Sequence, residues 1–360
     1  MYALMMTHSG PTTSLDRIAE SALRLLAFLS WILLASFLVV AFGATRARAE
    51  DASCGGRDLV AEMAKSDPAK LAALRKEAAA TVNGKGILWK IGKPGTKPSW
   101  LFGTMHLTDP RVLKLSDAAQ TAYQGAATVV IETDEVLDPK APLKVMAQDP
   151  GLMMFTDENT LEKLIPADKL EGVKAGLAAR GLSLTALNKM QPWIVTSMLA
   201  MPPCELTRSK SGTAFLDVKL AQDAKAQGKA VTGLETIKDQ LSAMASLPLK
   251  FHVEGLVETL TLAPKLPDMF ETMTLLYTRG DVAMIFPVIR SISPDGTASG
   301  ENYAAFEEKM VNARNRVMAE HAVPIIDKGN AFIAVGALHL PGEKGLVALL
   351  RSKGFTVEAQ

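Results

Sequence analysis

Two of the five histidines close the same four-residue pattern, Gly103-Thr104-Met105-His106 and Gly336-Ala337-Leu338-His339. Imidazole titrates near neutral pH and is a common metal ligand. Two acidic residues, Glu132 and Glu235, follow apolar segments in a comparable way. Two histidines with one or two carboxylates make a ligand set for a catalytic divalent metal with an open position. Such a set suits Zn, Mn, Co or Fe and does not choose among them. A bound ion would acidify water or polarise a carbonyl, and a carboxylate outside the ligand set would act as general base. Each residue also has a plainer reading. Either histidine alone would be a core or capping residue, Glu132 a cap on the next turn, and Glu235 a solvated loop residue. Arg314 reads as a surface arginine or as a carboxylate clamp and substrate anchor. Asp217, near the start of a helix, reads as a partner of the helix dipole.

The elements that must position these groups alternate at both ends of the chain. Residues 57–82 show helical spacing of Leu59, Met63, Leu71 and Leu74. Strands 87–91 and 99–104 follow, joined by a Pro-Gly turn, so they read as a hairpin. Residues 127–131 form an unalternating β-branched run that ends at Glu132, as in a strand buried on both faces. Residues 139–203 read as a helical insertion, 213–227 as an amphipathic helix, and 229–233 as a strand leading to Glu235. A long helix over 302–328 precedes the strand 331–335 and the second histidine motif. A helix over 343–353 and a strand over 355–357 close the chain. This order predicts an α/β fold with a central, mostly parallel sheet flanked by helices. If the strands before His106, Glu132, Glu235 and His339 are parallel neighbours, all four groups meet at one sheet edge, where ligands bind in open α/β sheets.

Residues 1–49 carry the marks of a signal peptide: an apolar run over 25–42 behind Arg17 and Arg24, then Ala47-Arg48-Ala49. The alternative is a signal anchor in the inner membrane, since an 18-residue run is at the lower limit of a span. Cleavage would leave residues 50–360 as one α/β domain in the periplasm or outside the cell, with no membrane attachment. The whole chain has a net charge of +1. The first 49 residues hold four basic and two acidic groups, so the remainder carries −1. That balance argues against nucleic-acid binding. Cys54 and Cys204 are the only cysteines, and export predicts that they pair in a disulfide. No G-x-S-x-G elbow, HExxH, Walker loop or dinucleotide fingerprint occurs.

The motifs resemble the TraB/GumN family, related to the Tiki metalloproteases. The resemblance covers roughly residues 87–358 and rests on blocks in order. These are Leu101-Phe102-Gly103-Thr104-Met105-His106, Val129-Val130-Ile131-Glu132, Leu216-Asp217, Gly233-Leu234-Glu235-Thr236, Arg314-Asn315, and Val335-Gly336-Ala337-Leu338-His339-Leu340. It implies a fold like the erythromycin esterase and ChaN-like proteins, and a metal-dependent hydrolase in which His106 and His339 are essential with Glu132 beside them. The reading that follows is an exported hydrolase of peptide or related amide bonds, with a peptide or protein substrate. His106, His339 and Glu132 would hold Mn, Co or Zn, and Glu132, Glu235 and Arg314 would serve the chemistry. The alternative is a non-catalytic protein that binds haem or another ligand, or that assists envelope or polysaccharide assembly.

Overall fold

The computed structural model describes residues 54–292 and 301–360. The expected signal segment and its cleavage site lie outside the described residues, as do residues 293–300. Among those residues no helix is long and apolar enough to cross a membrane.

Six strands form one mixed sheet: β1 Leu88–Gly92, β2 Ser99–Thr104, β3 Thr128–Ile131, β4 Ala230–Gly233, β5 Ala331–Gly336 and β6 Thr356–Ala359. Their spatial order is β4-β3-β5-β2-β1-β6. The first four in that order are parallel neighbours, with Ile131 opposite Gly233, Val130 opposite Ile333, and Thr104 opposite Gly336. β1 and β2 make the expected antiparallel hairpin, and β6 adds antiparallel to β1. The fold is therefore α/β with a sheet that is parallel where the polar groups emerge.

Unalternating strands are apolar because both faces are covered. Phe102, Val129, Ile131 and Phe332 enter one core, whereas Leu101, Val130, Ile333 and Val335 enter the other. All eight are at most 2% exposed. A third apolar cluster belongs to the helices of the insertion. It gathers Leu161, Leu177 and Leu199 together with Val253 and Leu256, so helix Leu249–Leu262, beyond the expected insertion, completes its core.

Two helical readings need correction. Residues 57–82 form two helices, Leu59–Ser66 and Pro68–Ala80. Pro68 lacks the N–H that would continue the first helix, and Asp67 caps the second by accepting from Lys70 N. The long helix before β5 contains a π-helical segment, Glu308–Asn312, between Glu301–Glu307 and Ala313–Ile326. Such segments recur at functional sites. Cys54 and Cys204 form a disulfide, which ties the start of the described chain to helix Pro203–Lys210.

Candidate functional site

His106 follows β2, Glu132 follows β3, Glu235 follows β4 and His339 follows β5, so four adjacent parallel strands deliver these residues to the same edge. A right-handed α/β sheet opens its crevice there because the loops at the carboxyl ends diverge. His106, Glu132, Arg314 and His339 line one cavity of 280 Å³. Glu235 does not line it. Its side chain lies behind Arg314, 2% exposed.

Each histidine is fixed from behind through Nδ1. Asp217 Oδ2 lies 2.7 Å from His106 Nδ1, and Asp217 Oδ1 also accepts from the Thr104 hydroxyl. Asn315 Oδ1 lies 2.7 Å from His339 Nδ1. The Asn315 amide donates through Nδ2 to the Lys344 carbonyl, which assigns its oxygen to the imidazole. Both acceptors require a proton on Nδ1, so each neutral ring presents the Nε2 lone pair. Metal-binding histidines are held in the same way by outer partners. Asp217 and Asn315 are thus central to the arrangement, although Asp217 reads from sequence only as a dipole partner and Asn315 as the neighbour of Arg314. The available signal is their place within the Leu216-Asp217 and Arg314-Asn315 blocks.

Glu132, His339 and His106 all border Gly336. A methyl group placed on Gly336 would lie 3.2 Å from Glu132 Oε1, 3.4 Å from His339 Cδ2 and 4.0 Å from His106 Nε2. Glu132 Oε1 is 3.7 Å from His339 Nε2. Glycine at 336 therefore permits close approach, and it does not serve a left-handed turn: neither Gly336 nor Gly103 has positive φ. Gly103 answers a different need, since a side chain there would strike Leu340 at 2.7 Å and the Ala337 backbone at 3.0 Å.

The Glu132 carboxylate is largely occupied by donors. Gly336 N donates to Oε1 at 2.7 Å, while Arg314 Nη2 and Gln240 Nε2 donate to Oε2 at 2.7 and 3.0 Å. A carboxylate accepts about four hydrogen bonds, so the remaining lone pair lies on Oε1, the oxygen nearer His339. Arg314 also grips Glu235, with Nε and Nη2 donating to Oε2 at 3.0 and 2.8 Å. It bridges two buried carboxylates and is itself 12% exposed at the side chain. The donors suit a divalent ion in kind. In their present positions, however, no group of three or more His, Cys, Asp or Glu among the described residues could hold one.

Burial and charge separate the protonation states. Burial opposes ionisation of Glu132, but His339, His106 and Arg314 outweigh it and bring its pKa down to about 2. Burial also opposes charge on His106, yet Asp217, by charge and hydrogen bond, raises that pKa to about 9. Burial dominates at His339 and lowers it to about 4, with Glu132 opposing and Arg314 assisting. For Glu235, burial raises the pKa against the pull of Arg314.

The topology and this edge define an α/β protein with paired histidines at the exits of neighbouring parallel strands. The profile of the TraB/PrgY/gumN family matches residues 87–359, and the chain belongs to that family. Metalloprotease TIKI2 of Danio rerio is 26% identical over 319 residues, covering 76% of this chain and 60% of its own. Metalloprotease TIKI1 of Homo sapiens is 23% identical over 319 residues, covering 76% and 61%. The uncharacterized protein YbaP of Shigella flexneri is 24% identical over 279 residues, covering 76% and 96%. The chain thus spans about three fifths of the length of the Tiki relatives. No solved structure matches it.

Proposed function

We propose that this protein is an exported, metal-dependent hydrolase of peptide or related amide bonds. The observation that carries the reading is the pair of imidazoles, each pinned through Nδ1, with His339 Nε2 3.7 Å from Glu132 Oε1 and His106 Nε2 bordering the same glycine, Gly336. His106 and His339 would hold the ion through Nε2, and Glu132 would add Oε1. A divalent metal bound there supplies Lewis acidity toward a substrate carbonyl. Glu132, ionised down to about pH 2, is matched to ligation and charge balance rather than to accepting a proton. Arg314 holds that carboxylate in place and is itself held by Glu235, so both act as positioning residues. Asp217 and Asn315 set the imidazole tautomers. The metalloprotease names of the Tiki relatives support the reaction class, and the disulfide supports an oxidising compartment.

The test is metal analysis of the purified protein beside a His106→Ala, His339→Ala double variant, with chelator-sensitive peptide hydrolysis measured on both. One divalent ion per chain and turnover in the wild type, both lost in the variant, are expected. Metal content equal in the two proteins would remove the site from the mechanism.

A further inference from the structure

The cavity above the histidines has walls as informative as its floor. The residue before each histidine, Met105 and Leu338, lines it, and so do Ile285, Phe286, Phe306 and Met310. Phe306 and Met310 come from one turn of the helix that continues to Arg314, so the same element shapes the cavity and braces Glu132. The polar groups in the cavity are accounted for. The Tyr277 hydroxyl donates to the Gly103 carbonyl at 2.9 Å, and Arg314 is spent between Glu132 and Glu235. Thr104 donates to Asp217. Beyond the histidines and Glu132, the lining offers no free charged group to pair with a charged ligand. A charge placed against such walls is penalised, whereas an aliphatic side chain gains by leaving water. Larger hollows of 980 and 630 Å³ exist, but they contain none of the site residues.

We infer that the Met105, Phe286, Phe306, Met310 and Leu338 walls form a specificity pocket for one uncharged apolar side chain, of leucine or methionine size, next to the bond presented to the histidines. The inference rests on the hydrolase reading for its place in a reaction, but the binding preference is separable from turnover.

The experiment uses three peptides, Ala-Ala-X-Ala-Ala with X as Leu, Asp or Lys, added to the purified protein. Methionine-methyl NMR reads binding, with the Met105 and Met310 signals assigned through Met105→Leu and Met310→Leu. Hydrolysis is followed in parallel. The Leu peptide should shift both methyl signals at concentrations at least about tenfold below those needed for Asp or Lys. Phe306→Ala should move the preference toward a larger X, such as Phe, while far-UV circular dichroism stays unchanged. Equal or tighter binding of the charged peptides, or a Leu peptide that leaves both methyl signals unmoved, would overturn the pocket. Selective Leu binding without hydrolysis would support the pocket and sink the hydrolase reading instead.

Discussion

His106 and His339 leave neighbouring parallel strands through the same Gly-x-x-His pattern, yet 56% of the first side chain is exposed and only 7% of the second. The first has a carboxylate behind it, the second an amide. An anion behind an imidazole stabilises its positive form; a neutral amide oriented by Lys344 fixes the tautomer with little pull on charge. With burial dominating at His339 and Asp217 outweighing it at His106, one motif yields a histidine charged near neutral pH and another that is neutral there. The repeated sequence specifies where the rings emerge, and distant residues decide what each ring is.

The largest expected effect comes from removing either ring. His106→Ala and His339→Ala should each lower metal affinity by more than about 100-fold, beyond what loss of an outer partner costs. Each should also lower stability, because each leaves a buried acceptor without its partner, Asn315 Oδ1 behind His339 and Asp217 Oδ2 behind His106, a cost of about 1–3 kcal/mol. Isothermal titration with Mn or Zn and urea unfolding measure the two quantities. Unchanged affinity in either variant would break the shared-site reading.

Exchanging the partners sharpens the contrast. Asp217→Asn should bring the His106 pKa down from about 9, and Asn315→Asp should bring that of His339 up from about 4. Each exchange should also change metal affinity by about 10–100-fold. Histidine NMR titration of the metal-free variants reads the first effect. If both pKa values stay where they are, the partners do not set them.

The two glycines give a smaller difference. Gly103→Ala should destabilise by about 1–3 kcal/mol, because its Cβ meets the Ala337 backbone and Leu340 in a packed interior. Gly336→Ala should leave stability within about 1 kcal/mol but weaken metal binding, since its Cβ meets Glu132 Oε1 and His339 Cδ2. Thermal melts and metal titration distinguish them. A destabilised Gly336→Ala beside a neutral Gly103→Ala would reverse the assignment.

Much of the scaffold is legible in the sequence because apolar runs and turn residues are local signals. Val129, Val130 and Ile131 announce a strand buried on both faces, and the Pro94-Gly95 turn announces the hairpin. The insertion of β5 between β3 and β2 has no such signal, since it is a matter of pairing across the chain. The same limit applies at the site. Asp217 is 111 residues from His106, so its sequence context shows only a helix start. Arg314 reads as a surface arginine or a carboxylate clamp and substrate anchor, and only the fold shows that Glu235, 79 residues away, closes on it. The insertion core is likewise completed by Leu256, which no local pattern assigns to helices over 139–203.

The smallest effect, and the one that bears on both rings at once, is the pH dependence of stability in the metal-free protein. Between about pH 6.5 and 9 the folded chain holds a proton on His106 that the unfolded chain releases, so stability falls as pH rises through that window. Between about pH 6.5 and 4 the unfolded chain takes a proton that buried His339 refuses, so stability falls as pH drops. Glu132 extends the acid loss, because its contribution is present above about 4.5 and disappears as pH falls through about 2. The two histidines thus predict opposite slopes on either side of a maximum near pH 6.5. The alkaline slope should be the shallower, because the half-exposed His106 pair is screened by solvent. Urea unfolding across pH 4–9 should show His106→Ala flattening the alkaline limb only and His339→Ala flattening the acid limb only. Variants that flatten the opposite limbs, or the same limb, would mean that the two rings do not differ in the way their partners dictate.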